Sequence, residues 1–561
     1  MLSSLALMSV PALLSAMIDK GVAQGDEELL MLFAGGMIGL AAVGSGMNIA
    51  ATRLAARVTT DFSAQLRSEV FRKVQNFASP EIDKFSSASL ITRSTSDVTT
   101  IQTFLSVLFR LGVFAPMMMV VGVILSIVTA GKIAVVLAVA VPIMIIALSI
   151  VITISASYSD KLRQKIDEIN RLFLETIDGV RVIRAFNKQD YEIQRFDKVN
   201  NDSAVVSFKS NASSGSLFPL VGLIFGLTSV AVMGMGAKFV IDKQVEIGVV
   251  VAAAQYINII LVAILLEAFV VRLFPDAYAC MKRIAAVLET DCSIKEPAHA
   301  EKSAGNTLCG TVEFRNVTFA YPGAEAPVVK GVSFCSKPGE TTAIIGGTGC
   351  GKSSVVNLIP RLYDTLFGDV LVDGINVKDY PLEELRDKIG YVPQKNVLFS
   401  GDIASNLNFG KENGHDEDWQ EAARIACAAE FVEKKEGGYH ATVSQGGTNF
   451  SGGQRQRLAI ARAVMKKPEI FIFDDSFSAL DVKTDKELRK NLKANLKNST
   501  MIVVAQRISS ILDATRILVL DQGETVGLGT HKELLKSCKL YREIAEIQLG
   551  KEAVEHELQA N

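Results

Sequence analysis

The residues best suited to chemistry in this 561-residue chain lie in its C-terminal half. Gly346 to Ser353 read Gly-Gly-Thr-Gly-Cys-Gly-Lys-Ser, the G-x-x-x-x-G-K-S spacing of a phosphate-binding loop. A β-like run (Thr341 to Ile345) precedes it and a helix-like run (Ser354 to Leu358) follows, a context that argues against a chance glycine-rich turn. Gly346, Gly349 and Gly351 let the backbone curl until its N–H groups face phosphate oxygens, with Gly347, Thr348 and Cys350 between them. Lys352 then neutralises the β- and γ-phosphates, and Ser353 offers a hydroxyl to Mg²⁺. Further on, Ile470 to Phe473 form a buried-strand pattern that ends in two carboxylates, Asp474 and Asp475. Ligands of parallel α/β sheets collect at the C-terminal edges of strands. There Asp474 would hold the metal's water shell and Asp475 would face an attacking water.

These residues need an α/β domain to position them, and the chain is long enough for that domain and a second one. Hydrophobic residues make up 49%, charged residues 21%, and the mean hydropathy is +0.29, averages that conceal two unlike halves. Up to about residue 272 the sequence runs apolar; from about 310 it reads as an ordinary soluble domain. Stretches long enough to cross a bilayer occur near 2–18, 29–52, 105–129, 133–156, 217–240 and 248–271, predicting about six helices. Short connections (Lys20 to Glu28, Ala130 to Lys132, Asp242 to Glu246) alternate with long, charged, helix-like arms at about 53–104 and 157–216. The arms carry most of the Lys and Arg, so they belong inside, and an even span count returns the chain to the cytoplasm. The first stretch barely reaches the roughly 17 residues a crossing needs. It lacks a basic n-region and a small-residue cleavage site, and so reads as a span, not a leader.

The net charge of -2 argues against a nucleic-acid partner. Seven cysteines, all beyond the last span and none in C-x-x-C spacing, fit free thiols on a reducing face. Within the spans, Gly35/Gly39 and Gly222/Gly226 have the spacing of close helix packing. Met117 to Met119 suit either ordinary packing or an adaptable surface. Glu267, deep in the last span, is an expensive ionisable group. It is read either as part of a substrate pathway or as a water-exposed structural residue, with Asn258 expected near the same helix face.

Between the phosphate loop and the paired carboxylates lies Phe450-Ser451-Gly452-Gly453-Gln454-Arg455-Gln456-Arg457, just ahead of a helical run. With these residues the chain resembles, over nearly its whole length, an ATP-binding cassette (ABC) exporter half-transporter. The motifs occur in the family's order. They are an A-loop aromatic (Tyr321), Walker A (Gly346 to Ser353), a Q-loop (Gln394), the signature (Ser451 to Gln454), Walker B (Asp474) and a D-loop (Ser478 to Asp481). The resemblance implies a polytopic all-α membrane domain over 1–295, with long cytoplasmic extensions. A linker would cover 296–309, an α/β P-loop cassette with a helical subdomain 310–547, and a charged tail 548–561. It also implies ATP and Mg²⁺ as cofactors, Tyr321 stacked on adenine, and Gln394 sensing the metal. Each ATP would lie between one chain's Walker A and the other's signature, so a second half-transporter is required. Short coupling helices are implied near Phe85 to Ser89 and Arg184 to Asp190, while the family's usual elbow helix and longer first span would fall ahead of the position where this sequence begins.

Four positions depart from the family pattern: Cys350 for Ser, Phe450 for Leu, Asp475 for the catalytic Glu, and Gln506 for the switch His. The first two are mild. Asp475 is one methylene short, and a Gln amide cannot carry a proton. Because ATP-binding residues are retained, the pattern resembles the degenerate subunit of a heterodimeric exporter of a small amphipathic molecule in the cytoplasmic membrane. A gating subunit that ATP switches without transport, and an importer, are the alternative classes.

Overall fold

The computed structural model describes residues 2–297 and 309–559, so the expected linker lies mostly outside the described residues, as does the end of the tail. The chain forms two compact units: Met1–Gln75 with Ser87–Thr290, and Asn76–Ser86 with Asp291–Asn561.

The first unit is helical because its apolar runs are long and unbroken. In a bilayer every backbone polar group must be satisfied within the segment. Among the described residues, five continuous helical stretches are long and apolar enough to cross: Ser3–Val22, Glu27–Gln75, Ser87–Asp178, Gln189–Ile241 and Ile247–Leu288. The runs expected at 105–129 and 133–156 share the third stretch. The short loop expected at Ala130 to Lys132 is instead a 3-10 turn over Gly131–Ala134, entered through Gly131 at φ +48°. Several helices far outrun the membrane. Glu27–Gln75 has 49 residues, roughly 70 Å at 1.5 Å per residue, against a hydrocarbon core of about 30 Å. Its charged C-terminal half is the arm foreseen from the Lys and Arg pattern.

The core of this unit gathers on Ile247–Leu288. Ile257, Ile260, Leu261 and Ile264 pack with Met144, Leu148, Val232 and Val250. Tight helix approaches include Gly122, where a Cβ would come within 2.9 Å of Ile260, Gly236 against Val250, and Gly248 against Ser15 and Asp19. A Cβ on Gly35, Gly39, Gly222 or Gly226 would meet no neighbouring element within 4 Å, so these glycines form no helix seam among the described residues. Met118 is buried with Met8, Ala115, Val121 and Ala263, while Met117 and Met119 lie half-buried against the same cluster. At the start of the last helix, Asp19 Oδ1 accepts from the Gly248 N–H at 2.7 Å, satisfying one of the orphan donors there.

Beyond the spans, Asp97 is buried and receives a forked pair of hydrogen bonds from Arg283, Nε at 2.8 Å and Nη2 at 2.7 Å, with Cys280 beside it. The Arg283 guanidinium holds this carboxyl below the usual aspartate range, against the opposing effect of burial.

Among its described residues, the second unit contains three sheets. The strands are β1 (Val312–Phe319), β2 (Val329–Ser336), β3 (Thr341–Gly346), β4 (Phe367–Val372), β5 (Ile375–Asn376) and β6 (Ile389–Val392). They continue with β7 (Gly401–Asp402), β8 (Thr442–Val443), β9 (Ile470–Asp474), β10 (Thr500–Val504), β11 (Arg516–Asp521) and β12 (Glu524–Gly529). The order is β2-β1-β4-β5 in an antiparallel sheet, β12-β11-β3-β10-β9-β6 in the central one, and a small β7-β8 pair. From β11 to β6 the central sheet is parallel, with β12 antiparallel at its edge. Its inner strands β9 and β10 are buried at every residue, as a sheet covered on both faces requires.

Asn76–Ser86 joins this unit although its sequence belongs to the first arm. The helix Ser79–Phe85 is anchored by buried Glu81, which accepts from the N–H groups of Ala78 (3.0 Å) and Ser293 (3.1 Å). The Cys292 thiol donates to the Asn76 carbonyl at 3.2 Å, and the Tyr363 hydroxyl donates to Asp83 Oδ2 at 2.9 Å. The docked segment therefore lies upstream of the expected Phe85 to Ser89, because Ser86 at φ +61° breaks the helix and Ser87 onward belongs to the first unit. The other expected coupling segment, Arg184 to Asp190, is a tight turn within the first unit.

The Asp97–Arg283 fork yields a test. A depressed carboxyl stabilises fully above its ordinary value near 4 and loses that contribution as pH falls through the lower folded value. At pH 7, Asp97→Asn should therefore lower stability by about 1–2 kcal/mol, the half-exposed Arg283 limiting the effect. It should also speed maleimide labelling of Cys280, read by mass spectrometry alongside thermal unfolding in detergent.

Candidate nucleotide site

The central sheet brings distant segments to one edge. Val504 pairs with Ile344 on one side and Asp474 on the other, and Val392 pairs with Phe473. The segments that follow these residues, carrying Gly346 to Ser353, Asp475, Gln394 and Gln506, therefore emerge side by side.

The phosphate loop runs from β3 into the helix Lys352–Leu358. Gly351 sits at φ +97° with Val328 O where a Cβ would go (2.8 Å), so only glycine fits there. Lys352 Nζ curls back onto the loop, donating to the carbonyls of Gly346 (3.0 Å) and Gly347 (2.6 Å). Buried Cys350 lies beneath it, its Sγ 3.7 Å from the same Nζ. The Ser353 hydroxyl donates to Asp474 Oδ1 at 2.9 Å, which sets two hard oxygen donors side by side. Burial pushes the Asp474 carboxyl above its usual range and the Asp475 charge adds to this, while the Ser353 bond and Lys352 pull it down.

Asp475 follows β9 in the left-handed region (φ +49°), which Asp tolerates better than most residues. Several bonds hold it there. Its N–H donates to the Val504 carbonyl (3.1 Å), and its own carbonyl accepts from Ser478 Oγ (3.0 Å). Its side chain is occupied as well. Oδ2 accepts from Gln506 Nε2 at 2.7 Å and lies 3.4 Å from Gln394 Nε2. The two residues that depart from the family's catalytic pair are hydrogen-bonded to each other.

Tyr321 closes the opposite end. Its hydroxyl bonds Ser354 Oγ at 2.9 Å, and its ring meets Phe319 and Tyr363 edge-on at 4.9 and 5.2 Å. Tyr321, Thr348, Gly349, Gly351, Lys352, Ser353, Gln394, Asp474, Asp475 and Gln506 line one cleft of about 310 Å³. Among the described residues no group of three His, Cys, Asp or Glu could hold a metal by itself. The Ser353 hydroxyl and the Asp474 carboxylate are donors of the kind Mg²⁺ takes, since it binds through one or two carboxylates, waters and substrate phosphates.

Other expected site residues lie elsewhere. Ser451 caps the helix Gly452–Met465, its Oγ accepting from the Gln454 N–H (3.3 Å) while Gln454 Oε1 accepts from the Ser451 N–H (3.1 Å). This reciprocal capping box, visible in the sequence as Ser-x-x-Gln, steadies a helix N-terminus beside the glycines Gly452 and Gly453. Asp481 caps the next helix, Val482–Asn495, by accepting from the Thr484 N–H at 3.0 Å, which holds its carboxyl below the usual range. Neither group lines this chain's own cleft.

Glu267 and Asn258 are both on Ile247–Leu288, and one Glu267 oxygen is buried without a hydrogen-bond partner. The helix is continuous, so a separation of nine residues is two and a half turns and puts them on opposite faces, not the same one. Sequence reasoning missed Tyr363, whose ring contacts Tyr321 across a long separation that no local pattern marks, and Glu81, whose partner Ser293 is equally remote.

Residues 1–265 match the family described as ABC transporter transmembrane region, and residues 329–478 match the ABC transporter family. The chain belongs to the ABC transporter family. It is 38% identical over 553 residues to the uncharacterized ABC transporter ATP-binding protein Rv1273c of Mycobacterium tuberculosis, covering 98% of this chain and 94% of that protein. It is 34% identical over 556 residues to YfiB of Bacillus subtilis, covering 99% and 96%. A bacterial Atm1-family ABC exporter solved with ATP bound shares the fold at a TM-score of 0.80 and 24% identity, covering 97% of this chain and 96% of that one. This chain is thus a multi-pass ABC half-transporter of exporter fold, its helical membrane domain fused to an ATP-binding ATPase domain.

Two substitutions separate binding from folding. Lys352→Ala removes the loop's ammonium and should weaken ATP binding at least about tenfold in an equilibrium nucleotide titration. Ser451→Ala should instead lower the cassette's unfolding free energy by about 1 kcal/mol through loss of the cap, read by chemical denaturation.

Proposed function

We propose that this half-transporter drives export of a small amphipathic molecule across the cytoplasmic membrane as one half of a heterodimer, and that its own Walker site holds ATP and hydrolyses it weakly. The observation that carries this reading is the 2.7 Å hydrogen bond from Gln506 to Asp475. A base must approach the attacking water, and Asp475 is one methylene short of doing so. Misplacement of about an ångström costs on the order of 10²-fold in rate. The oxygen it would use is engaged by an amide that can neither take nor carry a proton.

The binding apparatus is complete by contrast. Tyr321 would stack on adenine, Lys352 and the N–H groups of Gly346 to Ser353 would hold the phosphates, and Ser353, Asp474 and Gln394 would hold Mg²⁺. That ion would neutralise charge on the β- and γ-phosphates. Gly347, Thr348, Gly349, Cys350 and Gly351 shape the loop.

The signature Ser451 to Gln454 and Asp481 do not reach this cleft, which supports their use on a second half-transporter whose catalytic Glu and His are intact. An exposed apolar tip supports the same pairing. Val182, Phe186 and Tyr191 are 60%, 72% and 63% exposed at the turn of the second arm, beyond any apolar span. In this reading the membrane domain over 1–295 lies among bilayer lipids, with the linker 296–309, the cassette 310–547 and the tail 548–561 in the cytoplasm. The substrate meets Glu267, whose unpartnered buried oxygen suits a cationic or polar group; Asn258, on the other helix face, serves a separate contact.

The test is reconstitution. The purified chain alone should hydrolyse ATP about 100-fold below ordinary family rates. The double variant Asp475→Glu, Gln506→His should raise ATPase activity of the assembled pair only where the partner's signature is intact. Ordinary-rate hydrolysis by the unmodified homodimer would contradict the degenerate-site reading. Absence of vanadate-sensitive transport by the pair would favour a gating subunit instead.

A further inference from the structure

We infer that Tyr363 is a positioning residue that ties the nucleotide base to the Asn76–Ser86 segment, by a route independent of the phosphates. The argument rests on the reading that Tyr321 receives adenine, and it goes beyond the Q-loop, which senses the phosphate end.

Three aromatic rings form a block at the base end of the cleft. Tyr321 meets Tyr363 at 5.2 Å with the rings at 86°, and Phe319 touches both, at 4.9 and 5.4 Å. Such edge-to-face contacts have a preferred geometry, so turning one ring disturbs its neighbours. Tyr363 is only 9% exposed and cannot swing clear into solvent. Its hydroxyl leaves the block on the far side and donates to Asp83 Oδ2 at 2.9 Å, with Ser79 as a second side-chain partner. Burial and the Asp83 carboxylate push this phenol up to about 12, so it remains a protonated donor at any physiological pH.

Asp83 and Ser79 belong to the helix Ser79–Phe85, which is otherwise held by Glu81 on the Ser293 N–H and by Cys292 on the Asn76 carbonyl. The segment continues covalently into Glu27–Gln75 at one end and Ser87–Ser94 at the other. Of these ties, the one at Tyr363 alone leads to the nucleotide cleft. A base stacked on Tyr321 fixes that ring, which fixes Tyr363 and firms the bond to Asp83. Tyr321's own hydroxyl is taken by Ser354, on the helix that follows the phosphate loop, so the base platform is braced on both sides.

The experiment is hydrogen–deuterium exchange of residues 76–86 in the full-length chain in lipid nanodiscs. It compares no nucleotide, Mg²⁺ with ATP, and Mg²⁺ with tripolyphosphate, which offers phosphates and no base. ATP should slow exchange of this segment about threefold or more, and tripolyphosphate should not. Tyr363→Phe keeps the ring and deletes the hydroxyl. It should abolish the ATP-dependent slowing while leaving ATP affinity within about twofold. Asp83→Asn retains an acceptor and should preserve the slowing, whereas Asp83→Ala should lose it. Equal slowing by tripolyphosphate, no slowing by ATP in the unmodified chain, or full slowing in Tyr363→Phe would overturn the inference. Tyr321→Ala separates the two layers: unchanged ATP affinity there would refute the adenine platform itself, whatever Tyr363 does.

Discussion

Backbone hydrogen bonding between parallel strands is the constraint on which the cassette depends. Once Val504 is in register with Ile344 and Asp474, and Val392 with Phe473, the segments that follow β3, β6, β9 and β10 have no freedom to emerge anywhere but along one edge. A slip of one residue would turn every side chain to the opposite face. It is disfavoured because every side chain of β9 and β10 is buried in a close-packed neighbourhood that fits it on its own face, and because a slip would carry Asp474 away from Ser353. The phosphate loop, the Ser353–Asp474 pair and the Asp475–Gln506 pair are all consequences of that register.

Within this fixed frame, binding and hydrolysis make different demands. Holding a triphosphate needs N–H groups, an ammonium and a metal-facing carboxylate, and these tolerate small displacements because charge attraction varies slowly with distance. Activating water needs one oxygen free and correctly placed. In the proposed reading, the Gln506–Asp475 bond at 2.7 Å leaves the first function intact and occupies the oxygen that the second would need. That asymmetry is why ATP on this chain's loop is proposed as a latch, with turnover assigned to a partner cassette.

Much of this was legible in the sequence, because the chemistry there is local. Walker A announces itself within eight residues, the apolar spans by length, and the arms by their Lys and Arg. Asp475 and Gln506 stand out as a pair only against the Glu and His of the family pattern, and nothing in the sequence could say that they touch. What stayed hidden depends on contacts between remote residues. The move of Asn76–Ser86 into the second unit rests on Glu81 meeting Ser293 and Asp83 meeting Tyr363. Glycines at close helix contacts, such as Gly122 and Gly236, carry no motif, whereas a Cβ on the motif-bearing Gly35/Gly39 and Gly222/Gly226 would meet open space. The Glu267–Asn258 expectation failed on helix phase, since the helical period alone sets them half a turn apart.

The central claim, that ATP on this chain's Walker loop outlasts the transport cycle, is tested most directly by the chemical identity of the nucleotide retained there. The measurement uses the assembled pair in which the partner's P-loop lysine has been replaced by Ala, so that only this chain's loop keeps a ligand. After loading with Mg²⁺ and ATP and rapid removal of free nucleotide, the bound species is followed by chromatography. Asp475 held by Gln506 predicts that it remains ATP for at least about tenfold longer than the turnover time of the unmodified pair. Conversion of the retained nucleotide to ADP within a single turnover time would contradict the account.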